Sequence, residues 1–522
     1  MSAAVPQLLV VPIVLPLVSA ALLVLLGHRK RLKTAVNLAA TAAGLVVAVV
    51  LAQRVDAVPD VYLAGNWEAP FGIVLVADRL SALMLVVVGI LGLAVALYAE
   101  AAWAPAAVYF HPLFQIQLMG LNGVFLTGDL FNLFVFFEVL LAASYGLQLH
   151  GSGWPRVRSG LHYISINLLA SALFLVGLGV LYGVLGTLSM ADLAVKIAQV
   201  PPGDRGLLYA GAALLAVAFL IKAGIWPLNA WLVPAYSAAS APVAALFVVM
   251  TKVGIYALLR LWTLFLASGT TGSGHIGATI LLLGGLATLG IGALGMIGSL
   301  RLGRIASYSI IVSAGTMLAA LGLDEVAATS AGLFYLVSAS FAASPLFLLG
   351  ELLERFEATP QEQLAATPLD EDTNLDDEAA PLIGRAFTSS VVSLGLAFVT
   401  CVVLVVGLPP LAGFLAKVAL LTVAASNGTF AGWLLLGLLL VASLFALMSL
   451  ARAGIRHLWP AGRTVSALKL TEIAAIGVLL LASVLLTVFA EPVLRYTLLT
   501  AAELHAPHAY VEAVLSTPPV PR

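Results

Sequence analysis

Four ionisable side chains interrupt long apolar stretches of the chain: Glu138, in the middle of "DLFNLFVFFEVLLAASYGL", and Lys222, Lys252 and Lys417. On insertion scales each costs about 2.5–3.5 kcal/mol at the centre of a membrane helix, so all four are expected to face a protein interior rather than lipid. A carboxylate and an amine held there make a switchable proton site. The carboxylate favours the charged amine and burial disfavours it, so moving the two apart changes the amine's proton affinity. Glu138 could pair in this way with one of the lysines. The competing reading is a static Glu138–Lys222 ion pair that ties two helices together, and against it stands the desolvation cost that buried pairs often fail to repay. Lys252 and Lys417 could instead snorkel towards span ends, but long apolar runs flank both.

Other polar residues are weaker candidates. Asp129 lies about 13 Å along the helix from Glu138 at 1.5 Å per residue, where it could cap the helix or bind an ion. Tyr335, Ser338 and Ser340, in and beside "YLVSASFAAS", could pass protons through water, or could serve only in helix packing. His111 and His162 stand at span starts and the other histidines in loops or the tail, so no histidine metal site is expected. With Cys401 as the sole cysteine there is no disulfide, no CxxC zinc site and no iron–sulfur framework. No cofactor is expected on this chain; if it served a redox machine, the cofactors would lie on other chains.

The elements that must position these residues are membrane helices. Of 522 residues 62% are hydrophobic and only 9% charged, with a mean hydropathy of +1.09, which excludes an ordinary soluble domain. The net charge of -1 gives no reason to expect nucleic acid. Apolar runs of about 18 to 25 residues recur throughout, each long enough to cross hydrocarbon as a helix. They predict an all-α polytopic membrane protein of about 14 transmembrane helices, near 7–27, 34–52, 80–99, 111–127, 129–149, 161–184, 207–236, 241–267, 276–298, 305–323, 326–350, 388–424, 430–450 and 470–490. The first run lacks the flanks of a cleaved leader and reads as a retained span. With both termini outside, inside loops hold 14 Lys and Arg against 6 outside, the bias expected of inward-facing loops. Residues 59–78 read as an external loop with a short hairpin, and 357–381, acidic and proline-containing, as a disordered linker.

Prolines interrupt two of these spans, at Pro227 and Pro234 in one and at Pro409 and Pro410 in the other. Such breaks are tolerated at membrane depth only where protein or water satisfies the freed backbone, and paired broken helices suggest inverted repeats with ion sites at the breaks. The broken spans are the seventh and the twelfth, so helices 4–8 and 9–13 form two five-helix units. Because five is odd, the second is inverted. The division is then 1–110 for the first three helices and external loop, 111–268 for the first repeat, 276–452 for the inverted repeat with the linker 357–381, and 470–522 for the last helix and tail.

The segments "DLFNLFVFFEVLLAASYGL", "KAGIWPLNAWLVPAYSAASAPVAALFVVMTKVGIYALLRL", "SLRLGRIASYSIIVSAGTMLAA" and "LPPLAGFLAKVALL" resemble, in order and spacing, the D-type subunit of Mrp-type multisubunit cation/proton antiporters, closest to the potassium/proton branch. That family is similar to the proton-pumping membrane subunits of respiratory complex I. The resemblance implies a fifth-span glutamate paired with a seventh-span lysine, an eighth-span lysine bridging the halves, and a twelfth-span lysine ending the axis: Glu138, Lys222, Lys252 and Lys417. It also implies antiporter partners of the A, B, C, E, F and G types, a bacterial inner-membrane location, and proton flow that drives Na+ or K+ efflux. Asn229 and Ser338 stand where relatives commonly carry histidine, so passage from Lys252 to Lys417 would need water with Ser or Tyr. The rivals are a proton-pumping subunit of complex I or a related hydrogenase, and a self-sufficient secondary transporter.

Overall fold

The computed structural model describes residues 5–55, 58–106, 109–151, 153–267, 274–355, 389–458 and 468–519; the acidic stretch 357–381 lies outside them. In order these residues form α1 (Val5–Leu8), α2 (Val11–Leu25), α3 (Lys30–Arg54), β1 (Asp60–Leu63), β2 (Val74–Ala77), α4 (Arg79–Ala106), α5 (Phe110–Leu126), α6 (Leu130–Gln148), α7 (Trp154–Leu185) and α8 (Met190–Lys196). There follow α9 (Arg205–Ala223), α10 (Leu232–Ala238), α11 (Ala241–Ala267), α12 (Gly274–Ile297), α13 (Leu302–Gly322) and α14 (Val326–Glu354). The C-terminal part holds α15 (Ser389–Val406), α16 (Ala412–Ser426), α17 (Phe430–Leu458), α18 (Leu470–Val488), α19 (Ala490–His505) and α20 (His508–Ser516).

The protein is a polytopic helical membrane protein. Among the described residues eleven helices are long and apolar enough to cross a membrane, against about 14 spans expected from the sequence, and α2, α5, α15 and α16 are shorter. Both proline-interrupted runs are split. Residues 207–236 become α9 and α10, and 388–424 become α15 and α16. The expected hairpin is present, β1 pairing antiparallel with β2 in the register Asp60↔Ala77 to Leu63↔Val74.

Burial sorts the helices by role. The most apolar stretches of α11, α13 and α14 are 94% buried, whereas that of α3 is 22% buried and leaves side chains such as Val46 and Val49 open. An apolar side chain gains little by leaving lipid for another apolar surface, so exposed faces of this kind suit hydrocarbon. The three central helices pack on one another. Residues 490–516, read as a tail, form instead α19 and α20. These follow the last apolar run with mixed polarity, and α19 packs along α14 while α20 meets α8. The helix α8 falls in a stretch read as loop.

Candidate functional site

Lys222 occupies the last turn of α9, just before the helix ends at Gly224, at φ +68°, and the chain reaches Pro227. Its ammonium lies 5.6 Å from the centre of the Phe137 ring and within electrostatic reach of Glu138. No Glu138–Lys222 ion pair within 4.0 Å is formed among the described residues, and the buried Glu138 Oε1 has no hydrogen-bond partner. The competing reading, a static bridge between the two, is therefore not the arrangement seen. Phe134, Phe137, Phe174 and Phe219 surround Lys222 and leave no room for a water. Gly254 explains how α9 comes so close to α11: a Cβ there would fall 2.5 Å from the Ala223 N, so a larger residue would push Lys222 and Lys252 apart.

Lys252 is 1% exposed on α11 and donates to the Ser313 hydroxyl on α13. The Tyr335 hydroxyl on α14 lies beside those of Ser313 and Thr316. The three central helices thus each contribute one group to a continuous polar contact. Tyr335 also lines a cavity of about 30 Å³, shared with Ser309, Ser338 and Lys417. Buried polar groups of this kind are a natural seat for water.

Lys417 shows how the break in the second proline-interrupted segment is satisfied. In an unbroken helix the carbonyls of Val405 and Val406 would accept from residues 409 and 410, which are prolines without N–H groups. The Lys417 ammonium takes those two carbonyls instead, at 2.9 and 2.8 Å, and donates to the Ser443 hydroxyl at 2.8 Å. An ammonium at the C-terminal end of α15 also meets the negative pole of that helix. Gly407, at φ +76°, leaves room for the lysine stem, because a Cβ there would lie 2.6 Å from Lys417 Cδ. Proline and lysine are two halves of one device.

The remaining candidates fall away from this line. Asp129 is the N-cap of α6 and accepts from the Asn132 N–H at 2.8 Å. Ser340 donates to the Leu336 carbonyl of its own helix at 2.7 Å, a packing arrangement. Among the described residues no group of three His, Cys, Asp or Glu side chains could hold a metal ion.

Sequence reasoning passed over Ser313, Thr316 and Ser443, and also a buried ion pair. Arg260, eight residues after Lys252 on α11, meets Asp78 with Arg260 Nη2 to Asp78 Oδ1 at 2.8 Å, and its guanidinium lies 5.6 and 5.1 Å from the rings of Tyr256 and Tyr510. Tyr256 donates to the Phe125 carbonyl at 2.8 Å. The i, i+4, i+8 spacing of Lys252, Tyr256 and Arg260 on one helix face was the available signal.

A family model described as "NADH:quinone oxidoreductase/Mrp antiporter, TM" matches residues 127–445, the stretch that holds all four ionisable residues. The D-type subunit of a probable K(+)/H(+) antiporter from Rhizobium meliloti (strain 1021) is 46% identical over 98% of both chains. Its counterpart in the Na(+)/H(+) antiporter of Alkalihalophilus pseudofirmus is 33% identical over 98% of this chain and 99% of its own. Among solved structures, a chain of the Mrp complex from Dietzia sp. DQ12-45-1b superposes with a TM-score of 0.85 at 27% identity, over 99% of this chain and 100% of that one. The chain therefore belongs to the NADH:quinone oxidoreductase/Mrp antiporter membrane family and, within it, to the D-type subunits of Mrp-type cation/proton antiporters.

Proposed function

We propose that this chain conducts protons for a multisubunit antiporter along the line Glu138, Lys222, Lys252 and Lys417, and that this flow drives Na+ or K+ out of the cell. The observation that carries the reading is the contact of Lys252 with Ser313, of Ser313 with Tyr335, and of Tyr335 with the cavity that holds Ser338 and Lys417. Hydroxyl groups both donate and accept, so they can relay a proton between two amines without carrying charge themselves. Glu138 and Lys222 make the entry switch: approach and withdrawal of the carboxylate sets the proton affinity of the amine.

The architecture fits the same reading. Counting α9 with α10 and α15 with α16 as single broken spans brings the helices to about 14, with both termini outside and the basic loops inside. Residues 111–268 and 276–452 are then the two inverted repeats, flanked by 1–110 and 470–522. The similarity to named antiporter subunits of the D type supports a bacterial inner-membrane location and partner subunits of the A, B, C, E, F and G types. Sodium or potassium needs several oxygen ligands at once, whereas Glu138 is coupled to a lysine and Asp129 to a helix end. The cation path accordingly lies partly or wholly on another subunit.

Tyr335→Phe tests the relay, since it removes one hydroxyl and keeps the ring. ΔpH-driven cation exchange by the assembled complex should fall at least about tenfold, a change of about 1.4 kcal/mol in the barrier. Unaltered exchange would remove Tyr335 from the path.

A further inference from the structure

At the end of the molecule opposite Asp78 and Arg260 a vestibule of about 1090 Å³ opens among α7, α10, α13, α14 and α17. Its wall carries Arg158, Arg301, Arg304 and Arg456, with His162 and His457, against the single carboxylate of Glu354. Arg158, Arg301 and Arg304 make no side-chain hydrogen bond or ion pair among the described residues and are exposed to the vestibule. Two long helices begin at its rim, α7 at Trp154 and α13 at Leu302, and neither first turn has a side-chain cap. Helix N-termini and guanidinium groups both attract anions, and here they converge.

We propose that this vestibule binds the phosphate headgroup of an anionic phospholipid, drawn from the leaflet on the basic-loop side of the membrane. The location selects a lipid over a free anion. The basic loops lie at this end, where juxtamembrane Arg and Lys meet anionic headgroups. Trp154 is 74% exposed at the vestibule, as suits an aromatic side chain at a membrane interface, and Leu300, which also lines it, is 59% exposed. The space is also far larger than a phosphate needs, and Pro155, Pro234 and Ala238 give it an apolar part that would accept glycerol and the root of an acyl chain. Seated there, the headgroup would bridge helices from both halves of the chain.

The test uses the complete antiporter complex, delipidated and reconstituted in nanodiscs of phosphatidylglycerol and phosphatidylcholine, with retained lipid counted by native mass spectrometry. The wild type should keep at least one phosphatidylglycerol per copy of this chain that the triple variant Arg158→Gln, Arg301→Gln, Arg304→Gln loses, with phosphatidylcholine unchanged. The corresponding triple Lys variant should keep it. A photoactivatable phosphatidylglycerol should label residues 154–162 or 300–304 of the wild type, a measurement that does not depend on the variants folding. Equal retention by the Gln variant would overturn the proposal. So would displacement of the lipid by inorganic phosphate alone, or crosslinks from Ser237→Cys that run only to protein, whether a partner subunit or another segment of this chain.

Discussion

Glu138 and Lys417 play opposite parts in the proposed proton path. Glu138 has a buried carboxylate oxygen without a hydrogen-bond partner, so its value lies in its charge rather than in a bond it holds. Glu138→Gln keeps the shape and one acceptor oxygen while removing that charge. Exchange should drop to background while the complex still assembles, as read by ΔpH-dependent flux and by size-exclusion of the purified complex; near-normal exchange would refute the switch. Lys417 spends its ammonium on two proline-orphaned carbonyls and Ser443. Lys417→Arg preserves a cation at the end of α15, but arginine holds its proton throughout the working pH range. Assembly should survive and transport should fail; an active variant would make this a fixed charge. These ionisable residues were legible in the sequence because each stood out from apolar surroundings. Ser313 was not, since a serine among "SIIVSAGTM" gains meaning only once α13 packs its face against Lys252.

Among the elements, α11 is the axis: it carries Lys252 at its middle and Arg260 two turns further on, and it is buried almost throughout. The Asp78–Arg260 pair fastens that end of α11 to the start of α4, where Asp78 also accepts from the Ser81 N–H at 2.9 Å. Asp78→Asn leaves a buried guanidinium without its charge partner, which costs about 3–5 kcal/mol. Replacing both residues, Asp78→Leu with Arg260→Met, should recover most of this and leave a deficit of about 1 kcal/mol for the lost helix cap. Thermal unfolding of the complex in detergent reads the order wild type, double variant, single variant; a single variant as stable as the wild type would remove the pair's structural role. The broken helices and the hairpin were legible as elements because proline and turn residues mark them locally. The helices α19 and α20 were not. Their amphipathic pattern serves docking on α14 and α8 rather than spanning, and hydropathy alone gives no sign of it.

Across the whole molecule the proposed path is a line of polar groups from Glu138 and Lys222 through Lys252, Ser313 and Tyr335 to Lys417. Each step crosses from one helix to the next, so the line exists only in the packed bundle; the sequence marked its ionisable points and not the hydroxyl contacts between them. Lys252 is its midpoint, and on the proposed path it is the residue through which a proton passes between the two halves. The most direct test is ΔpH-driven Na+ and K+ flux in liposomes that hold the complete antiporter complex, with the wild type compared against Lys252→Ala. Alanine keeps the helix and removes the only protonatable group at that point. The account predicts an assembled complex whose coupled exchange is at background, at least about a hundredfold below wild type, or about 2.7 kcal/mol in the barrier. Exchange within about twofold of wild type from an assembled Lys252→Ala complex would contradict it.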